Sequence, residues 1–233
     1  MKLSYDWLQS YFALPLPPAE DLFARLTSHS FEVEPNGEAK ILPDRAPDCL
    51  SHLGVAREAA AVLGLAMVPA AAPMIKLDSA LAAPVINVDT PLVRRVLARR
   101  ITASGYGDTP DLVAQRLLAV GGHPVSGVVN ISNYVMFELG QPVHVFDADQ
   151  IQGQITVRLA QSGESIELLG GRVVKLDADM MVIADEIGPL DVAGIRGGAR
   201  AAVTASSRSL ILTACNFDAV SVRRTARRLD LLT

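Results

Sequence analysis

The chain has 233 residues, half of them apolar and a fifth charged, with a formal net charge of −4. That composition supports a packed core, divided between one domain and a small companion. It excludes a chain that grips nucleic acid by overall positive charge, though not one with a local basic patch. Cys49 and Cys215, the two cysteines, stand far apart and in no metal-ligand spacing. Neither a disulfide scaffold nor a cysteine metal site is expected, and a reducing compartment is.

The opening MKLSYDWLQSYF has polar residues where a signal peptide needs an apolar run. Leu3, Trp7, Leu8 and Phe12 recur at roughly helical spacing and predict a short amphipathic helix over 3–12. Pro18 heads a second helix, with Glu20 and Asp21 at its positive end and Leu22, Phe23 and Leu26 as the buried face. Phe31 and Val33 alternate like a strand, and PNGEA (35–39) is a turn. The proline-rich segment after it reads as loop, followed by a helix from Ser51 to Leu63 that stops at Gly64. Residues 66–84 are rich in proline and alanine and read as a linker. The uncharged stretch 59–75 is cut by Gly64, Pro69 and Pro73, which argues against a membrane span.

Beyond Pro84 the texture changes. Strands are predicted at 85–88, 95–103, 154–160 and 180–184, with a helix at 110–120 and glycine-rich turns such as LLGGR (168–172). The pattern is α+β with a mixed sheet, without the alternation of a doubly wound fold. Two domains are expected: a small helix-and-strand domain over 1–80, with the linker ending at about 84, and an α+β domain over 85–233.

Several residues could carry chemistry. In GQPVHVFD (140–147), Gly140 and Pro142 would present His144 at the mouth of a loop, where a neutral ring offers one donor and one acceptor. Taken by itself, that context favours a core histidine. His29, His52 and His123 read as structural. Asn133 within ISNYVMF reads as the cap of a turn. VAGIRGG (192–198) offers small residues where a ligand can approach backbone, or simply a turn. Arg223, Arg224, Arg227 and Arg228 share one broad helical face, which is a solvated face by default and an RNA or domain contact as the second reading. No phosphate loop ending in Lys-Ser/Thr is present, and no serine–histidine–acid order stands out. No catalytic residue and no metal ligand set is named from the residues.

Three groups of segments carry a family resemblance. They are MKLSYDWLQSYF with EDLFARLTSHSFEVE; LPDRAPDCLSHLGVAREAAAVLG; and VVNISNYVMFELGQPVHVFDADQI with VRLAQSGESIELLGG, VAGIRGG and NFDAVSVRRTARRLDLLT. Together they resemble the amino-terminal part of the bacterial phenylalanyl-tRNA synthetase beta subunit, over nearly the whole chain and in the family's order. The second domain is similar to that subunit's editing domain. Only PNGEAKI stands where the family usually inserts a tRNA-binding domain, and the sequence stops at LDLLT where the family continues, so the resemblance implies a shortened member.

The resemblance implies a part in phenylalanyl-tRNA aminoacylation and a pocket that hydrolyses mischarged tyrosyl-tRNA, the second sieve of a double-sieve scheme. His144, Asn133, Ala193, Gly194 and Thr213 are the residues it assigns to that pocket. It further implies the synthetase alpha subunit and phenylalanine tRNA as partners, with no membrane and no DNA. The location it implies is the cytoplasm. It places no cofactor in this chain, since the ATP and magnesium of the whole synthetase are bound elsewhere. Two residues depart from the family: Arg196, where methionine is common, and Thr213, at the position of a glutamate associated with tyrosine's phenolic hydroxyl. A neutral threonine accepts a weaker hydrogen bond than a carboxylate, so weak tyrosine discrimination is expected. The alternative is a noncatalytic assembly domain that binds RNA or the partner subunit and has lost editing.

Overall fold

The computed structural model describes residues 1–69, 80–105, 107–125 and 127–231. Most of the expected linker lies outside them. The chain divides into two compact units, Met1–Lys76 with Gly107–Pro142, and Leu77–Tyr106 with Val143–Thr233. The second domain was expected to run unbroken from residue 85. Instead the stretch 107–142 packs with the amino-terminal helices, for reasons visible in its aromatic contacts.

The first unit is helical. Helix α1 (Tyr5–Gln9) starts at Ser4, whose hydroxyl accepts the Trp7 amide, and is shorter than the expected 3–12. Helix α2 (Ala19–His29) follows Pro18 and buries Leu22, Phe23 and Leu26, as its spacing required. Val33 then bridges Ala39 around the tight turn at Gly37. The proline-rich segment holds a single turn, α3 (Ala46–Cys49), and α4 (His52–Leu63) runs from the Ser51 cap to Gly64 in the left-handed conformation. Two further helices belong here, α5 (Asp111–Ala119) and α6 (Gly127–Leu139). Trp7 of α1 stacks on His52 of α4 (centroids 4.0 Å apart) and on Tyr134 of α6 (5.1 Å), with the Arg116 guanidinium of α5 5.0 Å from its centre. One stack therefore ties α1, α4, α5 and α6 together, which sequence adjacency could not show. α6 was not foreseen, because its apolar residues surround the helix without a clear stripe.

The second unit contains all three described sheets. The largest has the order β1 (Ile86–Asp89), β4 (Ile155–Leu159), β7 (Met181–Ala184), β8 (Pro189–Val192), β9 (Arg196–Gly197), parallel at β1–β4 and antiparallel elsewhere. An antiparallel sheet has the order β2 (Val93–Thr102), β10 (Ser209–Phe217), β3 (Val143–Asp147), and β5 (Ser165–Glu167) pairs with β6 (Val173–Lys175). Helix α7 (Ala219–Arg228) closes the unit. The architecture is α+β with a mixed sheet.

Every residue of β7 is buried. Met181 and Ile183 join Phe146, Leu190, Ala193 and Ile211 in one core, while Val182 and Ala184 join Ile166, Leu168 and Val174 in another. The large sheet is thus covered on both faces, and β7 reads as a continuous apolar run because neither face meets water. Among the described residues, no helix is long and apolar enough to cross a membrane.

Candidate functional site

The antiparallel pairing of β3 with β10 sets Thr213 directly opposite His144, and Phe146 opposite Ile211 two residues along. Residues opposite one another project to the same face of the sheet, so His144 and Thr213 share a face. His144 was expected at a loop mouth. It stands within a strand instead, because Pro142 lies just before β3, where a missing amide costs no ladder bond. Thr213 is 3% exposed, and its hydroxyl donates to the His144 carbonyl oxygen at 3.3 Å. The hydroxyl is thereby committed to the sheet.

The β8–β9 hairpin supplies the other wall. Asp191 pairs with Gly197 and Val192 with Arg196, around a turn at Ala193, Gly194 and Ile195. Gly197 lies against the imidazole: a Cβ there would sit 2.7 Å from His144 Cε1. Gly194 has φ of +73°, and a Cβ there would stand 3.0 Å from both Phe217 and Val222. The base of the hairpin therefore meets His144, and its tip meets the end of β10. Ala193 is buried and donates its amide to the Met181 carbonyl, while Arg196 is exposed.

The sequence reading missed Asp191. It sits in the apolar run Pro189–Ala193, where alternation assigns a lone acid to solvent, yet it is 5% exposed. Its Oδ1 accepts the Gly198 amide at 3.2 Å and lies 3.6 Å from His144 Nε2. Burial raises the carboxyl to about 8, with the Gly198 amide opposing. Burial likewise pushes the His144 imidazole down to about 4, although its side chain keeps 31% of its surface. The thiol of Cys215, two residues along β10 from Thr213, is raised to about 11 by burial and then by Asp191. At neutral pH the cluster is polar but uncharged. It can orient water and donate or accept hydrogen bonds, but it offers no thiolate nucleophile.

Asn133 belongs to the other unit, on α6, and is not among the second-unit residues that make this cluster. It lies inside a helix and caps no turn. The asparagine that ties loops in that unit is Asn130, whose side chain accepts the Val125 amide at 2.8 Å and donates to Thr109 at 2.6 Å. Among the described residues, Asp48, Cys49 and Glu58 bring potential metal-ligand atoms within 4.8 Å of one another. Arg45 Nη2 already contacts all three at 2.9 Å, so the trio serves as an arginine clamp.

Residues 92–233, well over half of the chain, match the family model described as the B3/4 domain. The chain belongs to the B3/4 family. The B3/4 match spans β2, β3, β8, β9 and β10, and so every second-unit residue of the cluster. The chain is 40% identical over 195 residues to the phenylalanine–tRNA ligase beta subunit of Moorella thermoacetica, covering 82% of this chain and 24% of that protein. It is 36% identical over 243 residues to the same-named subunit of Rhodopirellula baltica, covering 99% of this chain and 35% of that protein. The chain thus spans about a quarter to a third of the length of these relatives. A crystal structure of an N-terminal fragment of the phenylalanyl-tRNA synthetase beta-subunit from Pyrococcus horikoshii matches with a TM-score of 0.47 at 16% identity, over 98% of this chain and 73% of that one.

The arginine cluster of this B3/4 chain is divided. On α7, Arg228 reaches Asp177 at 3.0 Å and Asp179 at 2.8 Å, and Arg224 approaches Asp179 at 3.5 Å. Arg223 and Arg227 are exposed. Half of the expected basic face is spent on intramolecular pairs.

Proposed function

We propose that this chain is part of the beta subunit of a phenylalanine–tRNA ligase, and that the His144 cluster is its editing site, hydrolysing tyrosine wrongly esterified to phenylalanine tRNA. The observation that carries the reading is the strand register that puts His144 beside Thr213, with the Asp191–Gly197 hairpin base against the ring, in a chain of the B3/4 family. The alpha subunit and phenylalanine tRNA are the proposed partners and the cytoplasm the proposed location. Amino-acid activation, with its ATP and magnesium, belongs to the rest of the synthetase.

In this reading water attacks the ester carbonyl, the bond to the ribose oxygen breaks, and the ribose hydroxyl leaves with a proton. A neutral His144 orients the water or donates to the carbonyl oxygen, and the buried backbone around Gly197 holds the ring in place. No protein nucleophile is invoked, in keeping with the raised Cys215 thiol. A second reading, an assembly domain that has lost editing, draws support from Thr213, which is buried, uncharged and already bonded to the His144 carbonyl.

One assay separates the two. The complete beta subunit, assembled with its alpha partner, is given phenylalanine tRNA carrying tyrosine or phenylalanine. Hydrolysis of the tyrosyl ester, with modest preference over the phenylalanyl ester, is expected. Release of neither amino acid above the uncatalysed rate favours the assembly reading. This chain alone, given ATP, phenylalanine and tRNA, is expected to charge nothing.

A further inference from the structure

Asp191 is the buried side chain that the editing reading leaves without a task. Its carboxyl lies among the second unit's core with one hydrogen bond, from the Gly198 amide, and no arginine or lysine forms an ion pair with it among the described residues. A carboxylate so placed is far from adequately solvated, and burial without a cation favours the protonated acid. The ring of His144 approaches it, with Nε2 at 3.6 Å. That separation is slightly longer than a hydrogen bond, in keeping with catalytic contacts that tighten only when substrate binds. The same oxygen, Oδ1, meets both groups, so as a hydroxyl it accepts the Gly198 amide on a lone pair and turns its hydrogen toward Nε2. Gly197 leaves the imidazole no room to slide away, since even a methyl there would overlap Cε1.

We propose that Asp191 is the positioning residue of His144: its carboxyl donates a hydrogen to Nε2, so that the ring carries its own hydrogen on Nδ1 and offers that N–H as its donor. A neutral imidazole has one donor and one acceptor, and the bond made at one nitrogen decides the role of the other. The titratable groups facing Asp191 are His144 from β3 and Cys215 from β10, and its ladder partners, Ile183 of β7 and Gly197 of β9, bring none. Burial is the leading cause of the shift in the acid, the ring and the thiol alike, and the acid adds to that of the thiol. Burial holds the acid protonated to about pH 8 and the ring neutral down to about pH 4, so the arrangement persists across the physiological range. Thr213 does not compete for this role, because its hydroxyl is bonded to the backbone of His144 and not to the ring. The consequence for hydrolysis rests on the editing reading, but the positioning itself does not.

The test reads the ring directly. Long-range proton–nitrogen correlation spectra of the ¹⁵N-labelled chain, with His144 assigned by its loss in His144→Gln, report which ring nitrogen is protonated. The wild type is expected to show protonated Nδ1 and bare Nε2 from pH 6 to 7.5. Asp191→Asn keeps a donor and is expected to preserve that pattern. Asp191→Leu removes the donor and is expected to shift the ring toward the Nε2–H form of free imidazole. In the complete enzyme Asp191→Leu is then expected to slow tyrosyl-tRNA hydrolysis roughly ten-fold or more, in kcat rather than KM, with Asp191→Asn close to wild type. A wild-type spectrum with Nε2 protonated overturns the proposal whether or not any variant folds, and so does an unchanged ring pattern in folded Asp191→Leu. If the ring shifts as stated while hydrolysis is absent throughout, the positioning stands and the editing reading falls.

Discussion

His52 and His144, one in each unit, share an imidazole pushed by burial down to about 4 and differ in almost everything else. His52 is fully buried, with Nε2 accepting the Ser4 amide at 3.2 Å, Nδ1 bonded to the Phe137 carbonyl at 3.0 Å, and the ring stacked on Trp7. Both nitrogens are satisfied by backbone, so its tautomer is fixed and its bonding capacity is exhausted. His144 keeps 31% of its side-chain surface, touches a glycine backbone and a phenylalanine edge, and has only an incomplete approach to Asp191. The comparison teaches that a depressed histidine is not in itself a functional signal. A ring with unspent bonding capacity and some exposure is.

The sharpest way to break the comparison is to remove each ring. His52→Ala deletes a stacking partner and strands two buried backbone groups, and is expected to destabilise the first unit by roughly 3–5 kcal/mol. Trp7, the one tryptophan in the sequence, reports this by fluorescence during denaturation. His144→Ala is expected to cost about 1 kcal/mol, since the ring is partly exposed and makes no full side-chain hydrogen bond. Equal losses at the two sites would erase the distinction between them.

Thr213→Glu comes next. The family resemblance associates a glutamate here with tyrosine's hydroxyl, but a position 3% exposed buries the new carboxylate. The expected outcome is a loss of roughly 2–4 kcal/mol in urea unfolding. A variant as stable as wild type would mean that the pocket opens to water at Thr213. Gly197→Ala pushes a methyl into the imidazole and is expected to cost roughly 1–3 kcal/mol while displacing His144, seen as a shifted ring signal.

The helices expected at the start of the chain, the α+β class and four of the strands were legible because period and punctuation are local properties. What failed was non-local. The placement of 107–142 in the first unit depends on Tyr134 and Arg116 finding Trp7, and no spacing rule encodes that meeting. The family resemblance named His144, Ala193, Gly194 and Thr213, and what the structure adds is the register of β3 against β10, which sets His144 and Thr213 side by side. Asp191 was invisible because alternation reports which side of a strand a residue takes, and along β8 Leu190, Asp191 and Val192 are all buried.

Acid and alkali sharpen the comparison further. Each histidine has a folded pKa of about 4 against an ordinary 6.5, so the unfolded chain binds more protons in that window and stability is lost as pH falls through it. Asp191 acts in the opposite sense: about 8 when folded against 3.8, it makes stability fall as pH rises between those values. Asp191→Asn is therefore expected to raise the melting temperature by a few degrees at pH 8, by about 4 °C for each kcal/mol recovered, with no gain at pH 4. The smallest effect is expected at the surface. Arg228→Ala breaks exposed pairs with Asp177 and Asp179 and should cost about 0–1 kcal/mol, less still at high salt.

The most direct measurement is tyrosyl-tRNA hydrolysis by the complete synthetase carrying His144→Ala, with the melting curve and phenylalanine charging recorded on the same preparation. The account predicts hydrolysis reduced at least ten-fold, with charging and the melting midpoint close to wild type. Hydrolysis at the wild-type rate in a folded, charging-competent His144→Ala enzyme would contradict it.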